Sequence, residues 1–209
     1  MPPRPARRPP PPPLAERLVQ VTEGLLAREG IEGITLRRIA RGAGVTHGAP
    51  LRHYRSYGTL LAEVAARGFR SLSAAVDREA GLLQPGAGPR ARLAAAARAY
   101  LRSAVGNPGL FALMFRPEIL DRDHEGFRRD AEEAFEQLVR LVRAAQDAGW
   151  NPDVETRRLA GALWSSVHGL ASLYAQGAYP AVVPGTSLED ALDATLRLVL
   201  GTPPERSPS

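Results

Sequence analysis

Residues 35–61 read TLRRIARGAGVTHGAPLRHYRSYGTLL. Thr35 is a residue type that caps a helix, because its hydroxyl accepts a backbone N–H left without a partner in the first turn. Leu36, Ile39 and Ala40 follow at helical spacing and give that helix an apolar side. Gly44 permits the positive φ that a tight turn between two helices requires. Thr46 is placed to cap a second, short helix, which Val45 and Ile39 lock against the first. Its backbone donors then face outward, where a phosphate can sit, and the residues after Thr46 can meet base edges in a major groove. Pro50 falls inside this second helix and is expected to strain it, since proline brings no N–H. A further helix is expected after Ser56, with Leu60 and Leu61 at its start. The pattern is that of a helix-turn-helix.

The flanking sequence is helical on both sides. Leu14, Leu18, Val21 and Leu25 recur on one helix face, and Gly30 stands where a C-terminal cap belongs. Residues 1–13, MPPRPARRPPPPP, cannot form a helix or a core. Arg4, Arg7 and Arg8 of this arm either reach a DNA groove or are simply solvated. On the C-terminal side, Leu60, Leu61, Val64, Phe69, Leu72 and Val76 mark a long helix. Residues 81–89, GLLQPGAGP, break the pattern and are the expected hinge between head and body. Helices are then expected over about 90–105, from Asn107-Pro108 to Pro117, over about 123–148, from Pro152 to about 176, and over 187–200, with a loop at 177–186. The expected fold is all-α with about nine helices: an arm (1–13), a helix-turn-helix head (14–58), a helical body (59–201) and a tail (202–209).

The chain has 209 residues, 44% of them hydrophobic, which is ample for a core. The absence of cysteine excludes disulfides, thiolate metal sites and cysteine nucleophiles, and makes the cytoplasm the expected location. No apolar run approaches membrane-spanning length, so no membrane partner is expected. The Arg- and Pro-rich start does not read as a secretory signal. Every basic residue is Arg. Residues 1–58 hold ten Arg against four Glu, a net of +6, while the remainder holds 17 Arg against 18 acids, a net of −1. A basic head on a near-neutral body suits a polyanion that docks at one end.

The segment 35–61 resembles the helix-turn-helix of the TetR family of bacterial transcriptional regulators. The resemblance rests on Thr35, Ile39-Ala40, Ala43-Gly44-Val45, Thr46, His53-Tyr54 and Leu60-Leu61. It implies a homodimer on double-stranded DNA with a palindromic operator. Thr46, His47, Gly48 and Arg52 would lie nearest the bases, and Thr35, Arg37, His53 and Tyr57 near the backbone. His53 is equally well read as a packed residue that holds the helix end. Leu51 stands where the family usually has Tyr, and Tyr57 where it usually has Lys, both common phosphate contacts. Arg37, Arg52, Arg55 and the arm are available to compensate.

Two further stretches resemble the WHG-type C-terminal domain of the same family. One is Tyr100-Leu101 with Asn107-Pro108-Gly109-Leu110-Phe111-Ala112-Leu113-Met114-Phe115. The other is Trp164-Ser165-Ser166-Val167-His168-Gly169-Leu170. Trp164 and His168 are four apart and share a helix face. Gly169 has no structural need to be in mid-helix, which points to a close neighbour there. Phe111, Met114, Phe115, Trp164 and His168 are expected either to line a largely apolar pocket with one polar handle or to be ordinary core. Leu188, Leu192, Leu196 and Val199 are expected to complete a four-helix dimer seam, as the family implies.

An enzyme is the rival from another class. Ser165 and Ser166 with His168 suggest a nucleophile and base, but no orienting acid or oxyanion hole is near in sequence. The four His offer no metal-binding pair, and no glycine-rich phosphate loop follows a strand. No catalytic residue, metal or cofactor is therefore expected. A third reading is a ligand-binding dimer with a weakened DNA head, motivated by Pro50, Leu51 and Tyr57. The expected function is a repressor that a largely apolar small molecule releases from DNA by shifting the helix that starts at Ser56.

Overall fold

Side-chain caps determine where most of the helices begin. In a computed structural model of the chain, which describes residues 12–201, α1 spans Leu14–Glu29 and stops at Gly30. The arm arginines Arg4, Arg7 and Arg8 and the tail 202–209 lie outside the described residues. The Thr35 hydroxyl accepts from the Arg38 N–H at the start of α2, Leu36–Gly42. Ser56 accepts from the Thr59 N–H and opens α3, Tyr57–Gly81. Pro89 leads α4, Pro89–Gly106. Asn107 caps α5, Pro108–Met114, in which proline takes the first position, where its missing N–H costs nothing. His124 Nδ1 accepts from the Phe127 N–H and starts α6, Glu125–Asp147. The Glu155 carboxylate accepts from two backbone N–H groups and starts α7, Thr156–Ala175. A short α8, Ala178–Val182, follows Gly177, and Ser187 caps α9, Leu188–Leu200.

The described residues thus form nine α-helices and no strand, the all-helical architecture expected, but not the same nine. The helix expected after Thr46 is a single 3-10 turn, Pro50–Arg52, and α8 arises within the segment expected to be a loop. Helix α7 begins at Thr156 rather than at Pro152, because the carboxylate of Glu155 supplies the cap. Residues 82–88 are not a hinge between head and body. They turn α3 back into α4, and the two helices pack along each other.

Two apolar clusters hold the chain together. One joins α1, α2, the first half of α3 and α5 through Leu18, Leu26, Ile39, Leu60, Val64 and Leu113. The other joins α4, α6, α7 and α9 through Leu93, Leu101, Val142, Val167 and Leu192. Tyr100 and Phe115 pack against both. Ion pairs reinforce the first cluster. Arg67 of α3 makes a two-pronged bond to the Glu16 carboxylate of α1 and holds that carboxyl at about 2. Arg70 of α3 pairs with Asp130 of α6, a buried carboxylate that Arg129 also contacts. Among the described residues, no helix is long and apolar enough to cross a membrane.

Helix α5 is wedged between the clusters, and Gly109 makes the close approach possible. A Cβ at this position would lie far inside contact distance of the Leu26 carbonyl and 3.1 Å from the Gly30 Cα. Both obstacles are backbone, so they cannot swing aside. Gly109→Ala should therefore cost about 1–3 kcal/mol in urea unfolding, the usual range for overpacking. Gly81→Ala, where nothing lies within 4 Å of the added carbon, should be neutral or slightly stabilising. Equal effects from the two changes would refute the close-approach account.

Candidate nucleic-acid interface and ligand cavity

The turn after α2 is built as the sequence requires. Gly44 adopts φ +68, and the Val45 N–H returns to the Ala40 carbonyl. Ile39 is fully buried beneath this turn and Val45 is half-buried against the same cluster. The segment beyond the turn departs from expectation. The Thr46 carbonyl accepts from the Ala49 N–H, Ala49 from Arg52, and Pro50 from both His53 and Tyr54. Pro50 has no N–H to return to Thr46, so the α-helical ladder cannot run through it. Its ring is buried instead, and anchors the segment. Among the described residues, the Thr46 hydroxyl makes no hydrogen bond, so the cap expected there is absent.

Thr46, His47, Gly48, Leu51, Arg52 and His53 are all exposed on this segment, and Thr35 and Arg37 are exposed at the start of α2. The exposure of His53 removes the packed alternative for that residue. Tyr57 behaves differently. It is half-buried, and its hydroxyl donates to the Ile34 carbonyl at 3.2 Å. Burial raises its pKa. It braces the start of α3 rather than standing free as a phosphate donor. Residues 33–62 contain five Arg and no acid. Arg38 is paired with Glu29, whereas Arg37, Arg41, Arg52 and Arg55 are exposed and form no ion pair among the described residues. Arg41 was missed in the sequence, although it lies one helical turn beyond Arg37.

A cavity of about 530 Å3 lies within the body, walled by α3, α4, α6 and α7 and closed by the end of α5. Met114, Phe115 and Trp164 line it. Phe111 and His168 do not. Phe111 is only 7% exposed and packs against the rings of Tyr100, Phe115 and His168 behind the wall. Most of the wall was not anticipated: Phe69 and Leu72 from α3, Phe127, Phe135 and Leu138 from α6, and Tyr100 from α4. Helical periodicity marks these residues as apolar-face positions but does not separate cavity wall from core.

Tyr100 is the polar centre of the wall. The Trp164 indole N–H donates to its oxygen at 3.1 Å, and that oxygen lies 2.6 Å from His168 Nδ1. The indole can only donate, and when the imidazole proton is on Nε2 the Tyr100 hydroxyl donates to His168 Nδ1. This order requires a neutral imidazole with its proton on Nε2. Burial also lowers the pKa of His168 and raises that of Tyr100, both favouring the neutral forms. Ser165 returns its hydroxyl to the Gly161 carbonyl. The Ser–His pairing weighed in the sequence therefore does not form.

The four residues expected at a dimer seam are placed differently from that expectation. Leu192 is 2% exposed and Leu196 is also buried, both within the chain's own core, and Leu188 and Val199 pack against it. The apolar stripe of α9 is satisfied by α7 and α4. The outward face of α9 instead carries Leu198, 85% exposed.

The lowered pKa of His168 has a consequence for stability. Below its ordinary value near 6.5 the unfolded chain takes up a proton that the folded chain resists. Stability is therefore complete above that pH and falls as pH drops towards the folded-state value, by at most ~1.4 kcal/mol per pH unit. Asn at position 168 can still accept from Tyr100 but does not titrate. His168→Asn should flatten the dependence of the urea midpoint on pH below about 6.5, relative to wild type. Parallel curves for the two proteins would overturn the neutral-imidazole assignment.

Comparison with known proteins places this geometry. A sequence model described as the tetracyclin repressor-like C-terminal domain matches residues 93–199. No curated protein matches the chain. Among solved structures, a protein of unknown function from Rhodococcus sp. RHA1 is 30% identical, with a TM-score of 0.78 over 94% of this chain and 96% of that one. The TetR family transcriptional regulator PfmR from Thermus thermophilus is 18% identical, with a TM-score of 0.66 over 88% and 97% of the two chains. The fatty acid degradation regulator FadR from Bacillus halodurans is 13% identical, with a TM-score of 0.67 over 94% and 100%. The last two are likenesses of fold alone. The family match begins at Leu93 in the cavity wall and takes in both Tyr100 and Trp164, more than half of the chain in all, and on that match the protein belongs to the TetR family of transcriptional regulators.

Proposed function

We propose that the chain is a ligand-responsive repressor that binds a palindromic operator as a homodimer and releases it when a small molecule occupies the cavity. The observation that carries this reading is the course of α3. Its first turn is capped by Ser56 at the end of the exposed basic segment, and its later turns supply Phe69, Leu72 and Val76 to the cavity wall. A helix is stiff, so a displacement at the cavity is felt at the reading segment. A second link supports the same coupling. Asp121 accepts from the Thr59 hydroxyl and donates its N–H to the Gly58 carbonyl, and it follows closely on Pro117 of the wall. The Trp164–Tyr100–His168 chain supports the finer resemblance to a WHG-type body. The FadR likeness, a regulator of fatty acid degradation by its description, makes a lipophilic effector a reasonable expectation for this chain.

In this reading Thr46, His47, Gly48 and Arg52 approach base edges, with Leu51 beside them. Thr35, Arg37, Arg41, His53 and Arg55 lie along the phosphates. Tyr57 acts indirectly, by holding α3. The loss of the recognition helix to a 3-10 turn favours one alternative, a ligand-binding dimer whose DNA head is weak. Titration of the purified chain onto its own promoter duplex at rising salt separates the two. Arg52→Ala should weaken promoter binding by about 1–3 kcal/mol and leave random duplex unchanged if it reads a base. An equal loss on both duplexes would make Arg52 a phosphate contact, and no binding to any duplex at low salt would favour the weak head.

The homodimer draws its support from unpartnered surface. The outward face of α7 carries Ala162, Ser165, Gly169 and Leu173, with nothing of this chain within 4 Å of a Cβ added at Gly169. Leu198 of α9 is likewise exposed. A second copy of the chain is the neighbour that these faces fit. Leu198→Glu should yield monomers in sedimentation while the helical content is kept. Leu192→Glu should instead unfold the protein, because that side chain belongs to its own core. A dimer unaffected by Leu198→Glu would move the seam off this face.

A further inference from the structure

Twenty side chains line the cavity, and none carries a charge at neutral pH. Tyr100 is the one titratable member, and burial holds it neutral. The guanidinium of Arg157 lies 5.5 Å from the ring centroid of the lining residue Phe135, but it is already paired with Glu136. An anion in the cavity would lose its hydration with no counter-charge to replace it. A cation meets the same difficulty. No carboxylate lines the wall to neutralise it, and lining rings meet one another edge-on. Phe69 meets Phe115 edge-on at 83°, and Phe135 meets Trp164 at 70°.

The polar atoms of the wall are equally restrictive. The Trp164 N–H is committed to Tyr100, and the Tyr100 O–H to His168. Gln137 Nε2 donates to the Ser73 carbonyl at 3.3 Å and to Asp77 Oδ1 at 2.7 Å. Both partners can only accept, so the orientation of the amide is set. Gln137 Oε1 is then left with no hydrogen bond among the described residues. Gln137 is one of the lining residues, and the unpaired atom of its side chain is an acceptor.

We infer that the cavity takes an uncharged, mainly hydrocarbon molecule bearing one hydroxyl or N–H, which Gln137 Oε1 accepts. This rests on the ligand-sensing reading above and narrows it. The volume, about 530 Å3, lies within the ordinary range for small-molecule sites, roughly 300–1,000 Å3. Gln137 is thereby the specificity-determining residue, and the absence of charge discriminates against a free fatty acid carrying the same hydrocarbon chain.

Four probes with one chain length test this on the full-length protein: dodecanol, its methyl ether, dodecanoate and dodecyltrimethylammonium, each below its micelle concentration. Binding is followed by quenching of tryptophan fluorescence, since Trp164 lines the cavity, and by the shift in Tm. Dodecanol should bind about tenfold more tightly than the ether and at least about a hundredfold more tightly than either ion. Gln137→Met should abolish the preference for alcohol over ether while keeping affinity for the ether. The comparison within wild-type protein decides the point even if that variant folds poorly. Binding of dodecanoate or the ammonium probe as tight as that of dodecanol would overturn the uncharged class. Equal binding of alcohol and ether would overturn the role of Gln137. Promoter binding is followed separately on the same preparations. If dodecanol binds as expected but no promoter complex forms or releases, the sensing reading fails and the ligand class stands. If the promoter is bound but no probe enters the cavity, the ligand class fails and the sensing reading stands.

Discussion

The contact between Gly109 and the end of α1 is the constraint around which the molecule is organised. Without a side chain at that position, the first turn of α5 rests directly on the Leu26 carbonyl and on Gly30. The same short helix ends at Met114, in the wall of the cavity. One short, rigid helix therefore touches the DNA-side cluster with its first residues and the cavity with its last. Phe115 extends this position, since it packs against both apolar clusters. A molecule that alters the cavity cannot move α5 without pressing on α1, because the intervening contact is backbone against backbone and has no soft side chain to absorb the displacement.

Charge is divided between the two ends of this arrangement. The reading segment has arginines and no acid, so it presents an uncompensated positive field to solvent. The cavity has aromatic rings and no charge. The ion pairs that bind α1 and α6 to α3 lie between them, at Glu16–Arg67 and Asp130–Arg70. The basic segment and the uncharged cavity thus lie at separate places and have different electrostatic character. The buried Asp130 is tolerable because two guanidinium groups meet it.

Pro50 shows how one residue reshapes a familiar motif. A recognition helix needs continuous backbone donors, and proline removes one in the middle of an already short segment. The ladder shortens mainly to bonds between residues three apart, and the ring is buried as an anchor. The exposed side chains of His47, Arg52 and His53 are then displayed from a compact turn rather than along a helix. Tyr57, bonded to the Ile34 carbonyl, fixes the far end of that turn to the head.

The helical class, the caps at Thr35 and Asn107, the helix starts near Ser56 and Ser187, the turn at Gly44 and the family resemblance were all legible in the sequence, because each depends on residues within a few positions of one another. Hydrogen bonds of the first turn and the backbone freedom of glycine are local chemistry. The tertiary structure alone decided what each apolar face meets. Leu192 and Leu198 are both leucines of α9, yet one is core and the other is bare, since only the packing of α7 and α4 distinguishes the two sides. Phe111 and Phe115 share α5 and its C-terminal cap, yet one lies behind the cavity wall and the other in it. The joining of Tyr100, Trp164 and His168, and the freeing of Gln137 Oε1 by Ser73 and Asp77, bring together residues some sixty positions apart. Periodicity gives a side chain's direction from its own helix axis, whereas these contacts depend on the relative placement of several helices.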